Sequence, residues 1–186
     1  MTPHPGRFWS SPPPPASGAA RKVLFLDRDG VVNINHGYVH RPDQTDWVAG
    51  VFDAARAAKR AGYGLVIVTN QAGIARGYYS EDQFLQFTRW IHEQFAIHGA
   101  DLLATYYCPH HPEGIVPGLN VSCECRKPGP GMILAAGKDL EIDLGQSLLV
   151  GDQTSDLQAA ASAGIERSWL IDDRSPEPFR EFVEGL

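Results

Sequence analysis

The sequence predicts an α/β fold: a Rossmann-like, mostly parallel sheet with helices on both faces. Three observations carry that expectation. Short, uninterrupted apolar runs recur along the chain, as in VLFL, GLVIVT and LLVG. Stretches with helical spacing separate them, which is the alternation of βαβ units. Polar residues follow three of the runs at once, and ligands of such sheets bind outside the carboxyl ends of the strands.

Residues 1–21 are rich in Pro, Ser, Gly and Ala and read as a disordered or extended tail. Residues 22–186 then form one domain, a size that suits a single core. Lys22–Leu26 reads as the first buried strand, and Val51–Ala61 as an Ala-rich helix stopped by Gly62. Gly64–Thr69 is a second buried strand. Ser80 is a good N-cap for a helix over Glu81–His98, whose Phe84, Phe87, Ile91 and Phe95 mark one face. Leu102–Cys108 is a third strand, and Pro109–Pro130 a long irregular stretch. Gly131–Leu140 and Ser155–Ala163 read as helices, Ser147–Val150 and Trp169–Ile171 as the last strands.

Composition narrows the function. The formal net charge is -6, and there is no basic stripe to meet a phosphate backbone, so nucleic acid is not the expected partner. No apolar run approaches the ~20 residues of a membrane span. The N-terminus lacks the continuous apolar segment of a signal peptide. A cytoplasmic monomer acting on a small molecule is the expectation.

The strand ends hold the first chemical signal. Asp27 and Asp29 follow the first strand, Thr69 and Asn70 close the second, and Asp152 follows LLVG. Two confined carboxylates raise each other's pKa, so one can stay ionised as nucleophile or metal ligand while the other carries a proton. A divalent cation would offset their charge against an anionic substrate, with Asp152 as a third oxygen ligand. Gly30 lets the chain turn sharply. Arg28, between the two acids, is expected to point to the other side of an extended chain. Taken singly, each of these residues is equally a turn or cap former; their shared location gives them weight.

All three cysteines fall in one segment. Cys108 and His110 are one residue apart, as are Cys123 and Cys125, and three thiolates with an imidazole suit tetrahedral zinc. His111 is the alternative fourth ligand. Such a site has no open position, so the zinc would be structural, ordering loop 108–125 ahead of Arg126 and Lys127.

FLDRDGVVN, VIVTNQAGIARG, CRKPGPGM and LLVGDQTSDLQAA resemble the four ordered motifs of the haloacid dehalogenase superfamily of phosphatases. NHGYVHRPDQ, YYCPHHPEG and CECRKPGPGM are similar to a zinc-loop branch acting on a sugar bisphosphate or on histidinol phosphate. A chain this short is expected to lack a large cap domain over the site. The resemblance implies Asp27 as nucleophile, Asp29 as acid and base, and Mg²⁺ held by Asp27, Asp152 and the Asp29 carbonyl. Thr69 and Lys127 would bind the phosphoryl group. Asn35, His36, Gly37, Tyr38, Asn70, Gln71, Ala72, Arg126 and Lys127 would contact substrate, and His110 rather than His111 would complete the zinc set. Val31, Asn35 and Gln153 depart from the pattern, where the family more often has Thr, an acid and Lys. A non-catalytic module on the same fold is the competing class, and the intact Asp27, Asp29, Lys127 and Asp152 argue against it.

Overall fold

The computed structural model of the chain describes residues 4–9 and 20–186. Its strands are β1 (Gly6–Phe8), β2 (Val23–Leu26), β3 (Gly64–Asn70), β4 (Ala104–Cys108), β5 (Leu148–Gly151) and β6 (Arg167–Leu170). Its helices are α1 (Val51–Arg60), α2 (Ala72–Ala75), α3 (Glu81–Ile97), α4 (Gly131–Asp139), α5 (Thr154–Ser162) and α6 (Arg180–Glu184). One sheet runs in the order β1-β4-β3-β2-β5-β6, and every pairing is parallel except β1 with β4.

The apolar runs lack polar positions because both faces of the sheet are covered. Alternate side chains enter opposite layers. Leu24, Leu26, Leu65, Ile67, Leu148 and Val150 pack on the side of α1 and α3, with Ala54, Ala58, Phe87, Ile91 and Phe95. Val23, Phe25, Val66, Val68 and Leu149 pack on the other side, with Met132, Ile133 and Ala136 of α4 and Ala159 and Ala160 of α5. A polar substitution at any of these positions would bury an unpaired group, at a cost of several kcal/mol.

Most expected elements match within one or two residues. The Ser80 cap is present in full: its hydroxyl accepts from the Gln83 N–H at 3.1 Å, and Gln83 Oε1 accepts from the Ser80 N–H at 2.8 Å. Such a capping box contributes about 1 kcal/mol. Three short elements have no counterpart in the sequence reading: β1, α2 and α6. Most of the expected 1–21 tail lies outside the described residues, but Gly6–Phe8 within it is an edge strand, with Arg7 opposite Tyr106. Its three residues carry no strand signal of their own and owe their conformation to the β4 edge. Arg7 also reaches Asp139 of α4 at 2.8 Å.

Among the described residues no separate domain covers the strand ends. The chain between β2 and α1 is a loop whose one regular turn is the 3₁₀ segment Pro42–Gln44. The carboxyl ends of β2, β3, β4 and β5 therefore open on one side, and parallel register places Asn70 beside Cys108 there.

Candidate active site

Asp27 is the first residue beyond β2, and its N–H still donates to the Val150 carbonyl of β5 at 3.0 Å. That bond fixes its carboxylate at the strand ends. The chain then turns at Gly30, where φ is +94° and a Cβ would overlap the Asp152 carboxylate. Only glycine lets the turn approach that acid so closely.

Lys127 arrives from the irregular stretch before α4 and inserts its ammonium between two acids. Its Nζ lies 2.7 Å from Asp27 Oδ1 and 2.6 Å from Asp156 Oδ1, and donates to the Val68 carbonyl at 2.9 Å. Lys127 is 5% exposed and Asp156 1%. Asp156 Oδ2 accepts from the N–H groups of Asp152 and Gln153 at 3.2 and 3.0 Å. Both its oxygens are thus engaged, so it orients Lys127 and the start of α5. Asn70 locks Lys127 from the backbone side: its side-chain amide donates to the Lys127 carbonyl at 3.1 Å and accepts from the Lys127 N–H at 3.0 Å.

The charges do not balance on their own. Ligand oxygens of Asp27, Asp152 and Asp156 lie within 4.8 Å of one another, with the single ammonium of Lys127 among them. Burial pushes the Asp27 carboxyl up to about 8, Lys127 opposes this, and Asp156 and Asp152 add to it. Burial also raises Asp152. Lys127 is held above its usual value, because Asp27 and Asp156 outweigh the burial that would lower it. Asp152 Oδ1 is buried without a hydrogen-bond donor. A hard dication fits this oxygen set and this excess of negative charge.

Asp29 faces a different set of groups. Its Oδ2 accepts from Arg28 Nη2 at 2.7 Å and from Gln71 Nε2 at 3.2 Å; its Oδ1 accepts from Arg28 Nη2 at 2.9 Å and Asn33 Nδ2 at 3.1 Å. Arg28 does not point away from Asp29, contrary to the alternation expected of an extended strand. The chain has left the strand at Asp27, so period-2 alternation no longer applies. Gln71 also donates to Thr69 Oγ1 at 2.7 Å and accepts from the Tyr79 hydroxyl at 2.6 Å. Burial raises the Tyr79 phenol above its ordinary value and keeps it a neutral donor.

These groups line one cleft of about 310 Å³. Asp27, Asp29, Asp152, Thr69 and Lys127 form its floor. Asn70, Gln71, Ala72 and Arg126 line one flank, and Asn35, Gly37 and Tyr38 reach it from the loop after β2. His36 does not line the cleft; its Nε2 lies 2.8 Å from the exposed Asp46. Gln153, at a position of departure from the family pattern, donates to Asp152 Oδ2 at 2.9 Å.

Beside the cleft is the thiol cluster. Cys108 ends β4, and its Sγ lies 3.4 Å from both Cys123 Sγ and Cys125 Sγ, which are 3.1 Å apart. His110 Nδ1 is 3.6 Å from Cys108 Sγ and 3.4 Å from Cys125 Sγ. These separations approach the edges of a tetrahedron built on Zn–S bonds of ~2.3 Å, about 3.8 Å long. The three cysteines are free thiols and too far apart for a disulfide bond of ~2.0 Å. His111 lies outside the cluster, 3.4 Å from Arg76 Nη2. The cluster fits zinc.

A family model described as "HAD-hyrolase-like" matches residues 124–172. The D-glycero-beta-D-manno-heptose-1,7-bisphosphate 7-phosphatase of Yersinia pestis is 50% identical over 154 residues, 83% of this chain and 82% of the relative. The chain belongs to the haloacid dehalogenase superfamily, in the family of heptose-bisphosphate phosphatases. The Haemophilus influenzae phosphatase of the same name is 50% identical over 165 residues, 89% of this chain and 88% of the relative. The D,D-heptose 1,7-bisphosphate phosphatase of B. bronchiseptica, solved with magnesium and phosphate, is 37% identical, with a TM-score of 0.70 over 80% of this chain and 79% of that one.

The enzyme is thus a phosphoric monoester hydrolase. The sequence reading covers most of what lines this cleft but not Tyr79 or Asp156, and it misses the contacts of Arg28 and Asn33 with Asp29 behind it. Asp156 carried a signal, an acid four residues after Asp152 at a helix start, which reads equally as an ordinary cap.

Proposed function

We propose that the enzyme removes the 7-phosphate of D-glycero-D-manno-heptose 1,7-bisphosphate through an aspartyl-phosphate, in the cytoplasm, on the route to the nucleotide-heptose used for lipopolysaccharide. The observation that carries this reading is the Asp27–Lys127 pair at the mouth of β2 in a chain half identical to phosphatases named for that substrate. Asp27 attacks phosphorus and the bond to the sugar oxygen breaks. Asp29 gives that oxygen a proton, then takes one from the water that attacks the aspartyl-phosphate, releasing phosphate and freeing Asp27. Lys127 and Thr69 hold the phosphoryl oxygens, and the charge of Lys127 opposes the burial that favours the protonated form of Asp27.

Asp27, Asp152 and the Asp29 carbonyl would hold Mg²⁺, which supplies positive charge against the transferring group when bound. Cys108, His110, Cys123 and Cys125 would hold a structural Zn²⁺, which ties the Cys123–Cys125 turn to β4. Arg126 and Lys127 follow that turn directly, so the zinc loop sets their position without taking part in bond making. Asn35, Gly37, Tyr38, Asn70, Gln71, Ala72 and Arg126 contact the sugar bisphosphate. His36 supports that loop from its outer side, through Asp46.

Phosphate release tests the reading, with both anomers of the heptose bisphosphate and with histidinol phosphate, each with and without Mg²⁺. The expected result is Mg²⁺-dependent release, fastest from a heptose bisphosphate. Faster turnover of histidinol phosphate would overturn the substrate, and full activity of Asp27→Asn would overturn the mechanism.

A further inference from the structure

Arg28 is 1% exposed, as deeply buried as Asp156 of the cleft. It is not on the cleft's surface. Its one engaged nitrogen, Nη2, meets three acceptors: the two Asp29 oxygens at 2.9 and 2.7 Å and the Val39 carbonyl at 2.6 Å. Nη2 carries two hydrogens. One straddles the carboxylate and the other goes to Val39, the residue after Tyr38 in the loop that lines the cleft. The guanidinium lies over the rings of Phe84 and Phe87 of α3, at 5.7 and 5.3 Å from their centres. Its Nε and Nη1 are buried without hydrogen-bond partners.

Stability does not account for this arrangement. A buried ion pair gains little over well-packed apolar side chains, and unsatisfied guanidinium nitrogens make the balance worse. The aromatic faces recover only part of that loss. What the arrangement does accomplish is geometric. The Asp29 carboxylate is fixed end-on by a cation that is itself clamped between α3 and the Val39 carbonyl. Gln71 and Asn33 then set its rotation.

We infer that Arg28 is a positioning residue for proton transfer: it holds the Asp29 carboxylate at a set distance from the loop carrying Asn35–Tyr38. The inference rests on the acid and base role of Asp29 proposed above. A group in this role affects the steps in which a proton moves and leaves substrate binding nearly untouched.

The test uses Arg28→Met and Arg28→Lys of the Mg²⁺-loaded, zinc-containing enzyme. Turnover is measured on the heptose bisphosphate and on p-nitrophenyl phosphate, whose leaving group departs without a proton. In Arg28→Met, kcat on the sugar is expected to fall ~10- to 100-fold with KM changed less than about twofold. With p-nitrophenyl phosphate, rapid mixing should show a burst of one nitrophenolate per active site, because Asp27 is still phosphorylated but water is activated slowly. Arg28→Lys keeps the buried charge and decides the matter if the Met variant does not fold. It should show the same burst with a smaller loss, since an ammonium cannot hold the carboxylate and Val39 in the same geometry. Wild-type kcat without a burst in Arg28→Lys, or a loss confined to KM, overturns the inference. Asp29→Asn separates the two readings: if it turns over normally, the proposed role of Asp29 fails and the inference with it. If it is impaired while Arg28→Lys is not, only the inference falls.

Discussion

The cleft and the thiol cluster are built on the same problem and solve it differently. Each gathers three groups that become mutually repelling anions: Asp27, Asp152 and Asp156 in one, Cys108, Cys123 and Cys125 in the other. The carboxylates have a cation of the protein's own, Lys127, and hang from strand ends and a helix start that the sheet already fixes. The thiols have only the imidazole of His110 and, apart from Cys108, belong to a stretch without regular structure. The carboxylate centre should therefore keep its shape without metal and lose chemistry. The thiol centre should lose shape, and chemistry as a consequence.

The largest effect should come from taking away the internal cation. Lys127→Met leaves Asp27 and Asp156 buried without it, and breaking a buried pair in this way costs about 3–5 kcal/mol. Turnover should fall by on the order of 10³-fold, since phosphoryl binding is lost and nothing then opposes the burial that favours the protonated form of Asp27. Urea unfolding and phosphate release measure the two losses. A variant as stable as wild type would break the comparison, because Lys127 would then not be what holds the carboxylates together.

Next comes the thiol centre. Cys125→Ser, or a zinc chelator, should lower turnover ~10- to 100-fold and lower the melting temperature. Added Zn²⁺ should restore the chelated protein, and Mg²⁺ should not. Removing Mg²⁺ alone should abolish turnover with little change in melting temperature. The opposite pattern, a chelated enzyme that unfolds no earlier than wild type, would make the loop self-sufficient.

How legible each centre was in the sequence follows from the same contrast. The cysteines could be read directly, because a metal site made of one residue type in one segment declares itself by spacing. Of its members, spacing left only the choice between His110 and His111 open; the motif resemblance favours His110, and His110 is the one beside the thiols. The carboxylate centre draws on three separate segments, and Asp27, Lys127 and Asp152 become a site only when β2, β5 and the loop before α4 meet. The ordered motifs made up for that. Arg28 escaped because its role depends on where the chain leaves β2: one residue further and alternation would have turned it away from Asp29. β1 escaped because three residues, Gly6–Phe8, owe their strand to the edge they pair with.

The link between the centres should matter less than either. Asn70 joins them, since it ends β3 beside Cys108 and clasps the Lys127 backbone by two hydrogen bonds. Asn70→Ala removes both, worth about 1–3 kcal/mol together. The expected result is a ~10-fold lower turnover with zinc content unchanged, read by metal analysis beside kinetics. A loss of zinc in this variant would show the thiol centre depending on the cleft, the reverse of the order drawn above.

The smallest effect on turnover, none, is expected at a polar group of α3 buried against the same sheet. His92 of α3 lies 2.9 Å from the Thr105 hydroxyl and edge-on to Phe8 of β1, and burial lowers it from 6.5 to about 4. Above pH ~6.5 the ring is neutral in both the folded and unfolded chain and adds nothing to the pH dependence. Below that, the unfolded chain takes up a proton that the folded chain refuses, so stability falls as the pH drops. The loss levels off below pH ~4, where the folded ring also protonates, at on the order of 3 kcal/mol. His92→Gln should remove this part of the acid slope in unfolding measurements between pH 7 and 4 while leaving turnover at pH 7 unchanged. A slope that survives the substitution would assign the acid sensitivity to groups other than His92, and not to Asp27 or Asp152, whose raised values favour the folded chain as the pH falls. With the slope gone, the acid loss belongs to His92, whose burial disfavours its charged form, whereas burial at Asp27 and Asp152 disfavours the charged form that acid removes.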